Sequence, residues 1–145
     1  MIAIIRRITR RGGKAEGGQS LVEFAFVLPI FLLVLFAIVD FSMAFHAWIT
    51  VTNSAREGAR LGAVRADADD IVQRVRDTTG TLDQDKLTVI VTNAEGDPGD
   101  SVIVDVSYVY SLITPVAGFV DVISAGSIDI GDGFTLSSTA DMRLE

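Results

Sequence analysis

Glu23 is the residue whose position in this sequence most strongly suggests chemistry. It lies four residues after Gln19 and directly before an apolar run, residues 24–39, that contains no charged side chain. A carboxylate at the edge of a hydrocarbon layer is unfavourable unless a partner offsets its desolvation, so an acid in this position is treated as functional. We therefore expect a functional role for Glu23.

The other residue types in the sequence give little indication of catalysis. The chain has no cysteine and a single histidine, His46, which follows the apolar run, so no nucleophile–base pair is indicated. Residues 129–133 resemble a calcium-binding loop only superficially, because the alternating ligands and the closing Glu are missing. We expect no enzyme activity, no metal site and no cofactor.

The apolar run is typical of a membrane helix. Its thirteen Leu, Ile, Phe and Val side chains favour insertion by about 4 to 8 kcal/mol. A helix over residues 24–39 rises only about 24 Å, so it must continue beyond Asp40 to cross a hydrocarbon layer of about 30 Å. We expect the transmembrane part to cover about residues 21–45, with Pro29 bending it unless neighbours compensate.

Two other interpretations of this region remain open. A secretory signal would be cut before Phe45, because Ser42 and Ala44 are small residues at the positions that leader peptidase requires. Sixteen uninterrupted apolar residues are long for such a signal, and Glu23 is unfavourable at its start. A plain single-pass anchor is indicated by the apolar span alone.

Charge is distributed unevenly along the chain. Residues 1–18 carry five Lys or Arg side chains and one Glu, whereas residues 19–145 carry seven Lys or Arg and eighteen Asp or Glu. A basic segment ahead of an apolar span stays cytoplasmic, which predicts that the acidic remainder lies across the membrane. That remainder would repel phosphate, so nucleic acid is not expected as a partner. Residues 1–18 are predicted to be a leader outside the fold.

Small residues recur every four positions beyond the apolar run. They form two adjacent rows on a helix, Ala55, Ala59 and Ala63 in one, Gly58 and Gly62 in the other. Such rows let a second helix or a sheet approach closely, either within the chain or from another subunit, and both possibilities remain open. Arg56 and Arg60 share a face of the same helix, so acids must offset their repulsion.

The remaining residues predict a small α+β domain. Asp67, with Asp70 three residues on, is the predicted N-cap of a second helix that ends near Thr79. The period then changes to two, which predicts an antiparallel hairpin of strands Leu87–Thr92 and Ser101–Tyr110. A short helix at residues 116–123 and a third strand at residues 134–144 follow.

The predicted fold class is therefore α+β. A long N-terminal hydrophobic helix occupies residues 19–65 after the leader at residues 1–18. A small extracytoplasmic domain, with a short helix and an antiparallel sheet, occupies residues 66–145.

Residues 18–24, GQSLVEF, resemble the processing site of type IV pilin-like precursors. In that site a small residue precedes the scissile bond and Glu is the fifth residue of the mature chain. The resemblance implies that Gly18 precedes the cut, that Gln19 becomes the new N-terminus and that Glu23 is the characteristic acid.

Further segments resemble the TadE-like family of the tight-adherence (Flp) pilus system. They are NSAREGAR at residues 53–60, a strand ending in YVY at residues 108–110 ahead of Pro115, and MRLE at residues 142–145. The resemblance extends from Gly17 to the last residue of the sequence.

This resemblance implies a minor pilin or pseudopilin, not an enzyme, that acts in pilus assembly, secretion and surface adhesion. Its expected partners are a prepilin peptidase, other pilin-like subunits and the assembly platform in the bacterial inner membrane. The amine freed on Gln19 would pair with Glu23 of a neighbouring subunit, which offsets two desolvation costs together. Phe24 stands where major Flp pilins typically carry Tyr, and the domain is sizeable, which disfavours a main filament subunit.

Two alternatives accompany this assignment. TadF-like and TadG-like proteins share parts of the pattern. The sequence also fits a single-pass protein whose acidic extracytoplasmic domain binds a partner without entering a filament.

Overall fold

The computed structural model describes residues 16–125, 127 and 133–145. The chain forms helix α1 (Glu16–Ala63), helix α2 (Ala68–Thr78), a 3-10 turn (Gln84–Lys86), strands β1 (Leu87–Thr92) and β2 (Ser101–Tyr110), helix α3 (Val116–Ser124) and strand β3 (Phe134–Arg143). The predicted α+β class, with a long apolar helix followed by shorter helices and an antiparallel sheet, is confirmed. Most of the predicted leader and residues 128–132 lie outside the described residues.

The chain divides into two compact units, Met1–Leu35 and Phe36–Glu145. In the described part of the first unit every residue is helical, and helix α1 continues through Pro29 without a break. Apolar side chains along this part are largely exposed. This part of the sequence therefore forms a helix whose apolar side chains are not buried in a hydrophobic core.

The second unit is built on a three-stranded antiparallel sheet with the order β1-β2-β3. Strand β2 is central, with Val89 opposite Val106 on one side and Ala140 opposite Val104 on the other. Alternate β2 residues, from Val102 to Tyr110, are buried, while those between them are exposed or half-buried. This is the period-two pattern of a sheet with one covered face.

Helix α1 covers that face with a narrow stripe. The buried positions on α1 recur every three or four residues, with two adjacent pairs among them: Asp40, Ala44, Ala47, Val51, Ser54, Ala55, Gly58, Ala59 and Gly62. This spacing keeps one side of a helix towards its neighbour. Ile71 and Val75 of α2 are also buried and complete the core.

Gly58 and Gly62 allow α1 to approach its neighbours closely. A Cβ atom on Gly58 would lie 2.7 Å from Cγ2 of Val75, and one on Gly62 would lie 2.9 Å from both Cγ atoms of Val102. Only a hydrogen atom fits in either place without movement. These two glycines therefore pack against α2 and β2 of their own chain.

Helix α2 begins where the sequence predicts, but its predicted cap is only partly realised. Asp67 occupies the N-cap position, yet its side chain makes no capping hydrogen bond. Asp69 and Asp70 lie in the first turn, where negative charge interacts favourably with the helix dipole. Asp67 therefore marks the start of the helix without acting as a side-chain cap.

Residues after β3 close the end of α1. The Glu145 amide donates to the Ala63 carbonyl at 3.1 Å, and Nε of Arg65 donates to the Glu145 backbone oxygen at 2.8 Å. The Glu145 contact satisfies one of the carbonyls that a helix leaves without an internal partner at its C-terminal end. Arg65 itself has a left-handed backbone, with φ of 64°, which ends the helical path.

Candidate processing and membrane-anchoring site

Gln19 and Glu23 lie one helical turn apart at the start of α1. Nε2 of Gln19 donates a hydrogen bond to Oε1 of Glu23 at 3.2 Å, and both side chains are exposed. The bond follows from the four-residue spacing, which places the two side chains on one helix face. Glu23 is therefore oriented towards the first turn by a neutral donor.

Gly18 stands in open space just ahead of this pair. A Cβ atom built on Gly18 would meet no atom within 4 Å, and Gly18 is exposed. Packing within the described residues thus places no demand on a small residue here. The described residues therefore give no structural reason for glycine at this position.

The side chains around and after Glu23 present a continuous apolar surface. Phe24, Phe26 and Phe31 are all exposed, as are most Leu, Ile and Val residues as far as Val39. The most apolar window of this helix has a mean hydropathy of 2.8, and none of it is buried by the chain. A surface of this composition is solvated by lipid more favourably than by water. This helix fits a single-pass membrane anchor.

Asp40, directly after the apolar run, is a buried hydrogen-bonding centre. Its side chain accepts from the backbone N–H of Ile113 at 2.9 Å, from that of Thr114 at 3.3 Å and from the Thr114 hydroxyl. Its own backbone oxygen accepts from the Tyr110 hydroxyl at 3.1 Å. Asp40 is only 5% exposed, so these donors replace the water that its carboxylate loses.

Sequence reasoning did not find this role for Asp40. The residue reads as the first polar interruption of an apolar helix, and its partners lie 73 and 74 residues further along the chain. Two of the three donors to the carboxylate are backbone N–H groups, which any residue except proline offers. The sequence does show that Asp40 shares a helix face with Ala44, Ala47 and Val51, and this pattern could have indicated a buried role.

The predicted helix-packing residues separate into a buried and an exposed group. Ala55, Gly58, Ala59 and Gly62 are buried in the second unit, whereas Arg56 and Arg60 are exposed. Glu23, Gly18 and Gln19 belong to the first unit. The small residues thus serve a packing surface within the chain.

One comparison with known proteins concerns the same part of α1. Residues 18–60 match the TadE-like protein family. The predicted resemblance is confirmed for these residues, which include Gly18, Glu23 and the AREGAR part of the small-residue segment. Comparisons with curated proteins and with solved structures give no significant match. The TadE-like segment indicates a component associated with the tight-adherence pilus.

The match ends within α1, so the sheet domain lies outside it. The resemblance noted for YVY at residues 108–110 and MRLE at residues 142–145 is therefore not covered and stays a prediction. What the structure adds is that the TadE-like segment includes most of the helix stripe on which that domain packs, from Asp40 to Ala59.

Near the end of the TadE-like segment, Glu57 and Arg60 form an ion pair. Nε and Nη2 of Arg60 each donate to one carboxylate oxygen of Glu57, at 3.0 and 2.8 Å. The hydrogen bond from Arg60 lowers the pKa of Glu57, and the same bond raises the pKa of Arg60. The acid that offsets the charge of Arg60 is thus supplied by the same helix.

Tyr110 links the sheet to the Asp40 centre. Burial raises the pKa of the Tyr110 phenol, and the nearby charge of Asp40 and the neighbouring Tyr108 raise it further. The phenol therefore remains protonated and keeps donating to the Asp40 backbone oxygen.

Aromatic side chains continue along the exposed side of α1. The ring centroids of Phe41 and Phe45 are 6.3 Å apart in a stacked arrangement, and those of Phe45 and Trp48 are 5.8 Å apart. Within the part of the chain that the structure describes, no group of three His, Cys, Asp or Glu residues is placed to hold a metal ion. The interactions that the described residues form are ion pairs, hydrogen bonds and apolar contacts.

Proposed function

We propose that this protein is a minor pilin or pseudopilin of a tight-adherence pilus. A prepilin peptidase cuts its precursor between Gly18 and Gln19. The observation that carries the proposal is the TadE-like match, which begins at Gly18 and includes Glu23 and the apolar helix. The open surroundings of Gly18 support it, because a peptidase needs access to the bond and the fold itself does not require glycine there.

Glu23 is the assembly residue in this proposal. Cleavage after Gly18 creates an ammonium group on Gln19, and Glu23 of a neighbouring subunit pairs with it. The exposure of Glu23 leaves its carboxylate accessible to a second chain. Pairing two charges at the edge of the membrane offsets both desolvation costs in one contact, which favours bundled helices over isolated ones.

The proposed location is the bacterial inner membrane, crossed once, with the N-terminus in the cytoplasm. The basic leader residues favour that orientation. The sheet domain then lies outside the cytoplasm, where it meets other pilin-like subunits and the assembly platform, and it reaches the pilus or the cell surface after assembly. The role is structural and does not include an enzymatic step.

The structure gives a physical reason to disfavour a secreted product cut before Phe45. That cut would remove Asp40 and Ala44, both of which are buried against the sheet domain. The N–H groups of Ile113 and Thr114 would lose their acceptor. Cleavage after Gly18 removes neither residue.

Processing is tested by N-terminal sequencing of the protein from a host with the matching prepilin peptidase. The unaltered chain is expected to begin at Gln19, and Gly18→Leu is expected to keep its basic leader. Gly118→Leu is the matched control, because Gly118 also lies in a helix with no atom near its Cβ position. Normal processing of Gly18→Leu, or a mature N-terminus at Phe45, would contradict the proposal.

The role of Glu23 is tested with Glu23→Ala and Glu23→Gln. Both variants are expected to insert into the membrane but to be lost from purified pili or from the assembly complex. Glu57→Ala is the control, because Glu57 is an acid of the same helix that pairs with Arg60 outside the apolar run. Recovery of the Glu23 variants with the pilus at the level of the control would refute the pairing.

A further inference from the structure

We propose that α3, together with Ile113 just ahead of it, lies in the lipid headgroup region as a second, peripheral membrane contact of this chain. The proposal goes beyond the pilus role. It requires that α1 spans a membrane but not that the protein enters a filament.

The first observation is the apolar surface that this segment exposes. Val122 is 78% exposed, Ile123 70% and Ile113 66%, with Phe119 at 41%. Phe119, Val122 and Ile123 follow the i, i+3, i+4 spacing, so they share one face of α3. Asp121 lies roughly 150° around the helix from the middle of that face, given 3.6 residues per turn. The helix is thus amphipathic, with its apolar face unpartnered by the described residues.

The second observation is the position at which this segment is held. The carboxylate of Asp40 accepts hydrogen bonds from Ile113 and Thr114, and α3 follows immediately after Pro115. Asp40 is also the first residue after the apolar run of α1. The start of α3 is therefore attached where the uncharged part of α1 ends, about 7 Å along the helix before residue 45, the predicted end of the transmembrane part.

The third observation concerns the occupant of this surface. Residues 111–125 contain no Lys or Arg and only one acid, so attraction to anionic lipid plays no part and neutral lipid is sufficient. Phe41, Phe45 and Trp48 follow Asp40 on the exposed side of α1. Aromatic side chains of this kind are enriched at the membrane interface. These aromatic residues begin next to Asp40, which holds the start of α3, and this favours lipid over a second copy or a soluble partner as the occupant.

The absence of cysteine from the chain makes a direct test possible. Val122→Cys carries an environment-sensitive fluorophore on α3, and Ile90→Cys carries the same fluorophore on β1. Ile90 is the matched control, because it is also a well-exposed aliphatic residue but lies on the outward side of the sheet. The full chain is reconstituted into phosphatidylcholine vesicles, with and without lipids that carry a nitroxide quencher near the top of the acyl chain.

We expect the nitroxide lipids to quench the label at position 122 about threefold or more strongly than the label at position 90, as for an interfacial helix. We expect aqueous iodide to show the opposite preference. Equal iodide quenching at both positions, with no lipid quenching at position 122, would overturn the proposal. Protection of position 122 from both quenchers would also overturn it, because a protein surface would then cover α3.

The failure of this proposal is distinguishable from failure of the pilus role. Resistance of the labelled chain to alkaline extraction reports whether α1 is inserted, independently of α3. Processing at Gly18 and incorporation through Glu23 are read from different variants, so either proposal can fail while the other stands.

Discussion

Replacing Gly58 by Ala tests whether α1 is held as closely against its neighbours as the structure shows. In a helix interior, Gly→Ala alone is stabilising by about 0.5 to 1 kcal/mol. At Gly58 the new Cβ meets Cγ2 of Val75 at 2.7 Å and Cγ1 of Val104 at 3.2 Å. Both are stiff β-branched side chains that are completely buried, so overpacking of about 1 to 3 kcal/mol is expected.

Gly118→Ala is the matched control, because it gains the same helix propensity and meets no atom within 4 Å. The difference between the two variants isolates the clash, which is expected to destabilise Gly58→Ala by about 1 to 3 kcal/mol relative to the control. Hydrogen exchange of the β2 amides, measured by mass spectrometry on the full chain in detergent micelles, should then be roughly 5- to 150-fold faster.

A double variant makes the test more specific. Val75→Ala removes the Cγ2 atom that the new Cβ would meet, so Gly58→Ala with Val75→Ala should be less destabilised than the two single variants predict together. A coupling of about 0.5 kcal/mol or more is expected for residues in direct contact. The reasoning is refuted if β2 exchange in Gly58→Ala is as slow as in Gly118→Ala.

Three further predictions concern single side chains. The folded state lowers the pKa of Glu57 below its ordinary 4.5, so the stabilisation by the Glu57–Arg60 ion pair is present above pH 4.5 and is lost as the pH falls through the lowered pKa. Arg60→Ala should return the pKa of Glu57 towards 4.5, as measured by carboxyl-carbon NMR. An unchanged titration of Glu57 would count against the ion pair. Because the folded state raises the pKa of Tyr110 above its ordinary 10.0, stability is expected to fall as pH rises from about 10 through the raised value. Tyr110→Phe should remove this high-pH step in an ultraviolet titration and cost about 1 kcal/mol through loss of the bond to Asp40; persistence of the step would exclude Tyr110 as its source. Thr52→Val should stabilise the second unit by about 1 kcal/mol in thermal unfolding, because the buried Thr52 hydroxyl has no hydrogen-bond partner among the described residues. A lower unfolding temperature of the variant would show instead that this hydroxyl is solvated.

The elements that the sequence predicts well are those whose residues repeat with a single period. The apolar run predicts the start of α1, and the alternation of Val102, Val104 and Val106 predicts both strand β2 and the face that it buries. The small residues predict a close approach on the far part of α1. They do not name the neighbour, because Ile71, Val75 and Val104 lie in two other elements whose positions depend on the whole fold.

Features that depend on backbone groups or on a second chain could not be predicted from the sequence pattern. The partners of Asp40 are mainly N–H groups of the distant residues Ile113 and Thr114, which carry no residue-specific signal. Asp67 was placed correctly at the start of α2, but its side chain does not bond to the helix. The pairing of Glu23 with a freed amine stays a prediction, because it joins two chains.

The Asp40 centre joins distant parts of the sequence. Asp40 lies at the N-terminal end of the buried stripe on α1, and its carboxylate accepts hydrogen bonds from Ile113 and Thr114, in the segment that connects β2 to α3. Tyr110, the last residue of β2, donates to the backbone oxygen of the same residue. One residue thus fixes to the helix both the end of the central strand and the start of the segment that follows it.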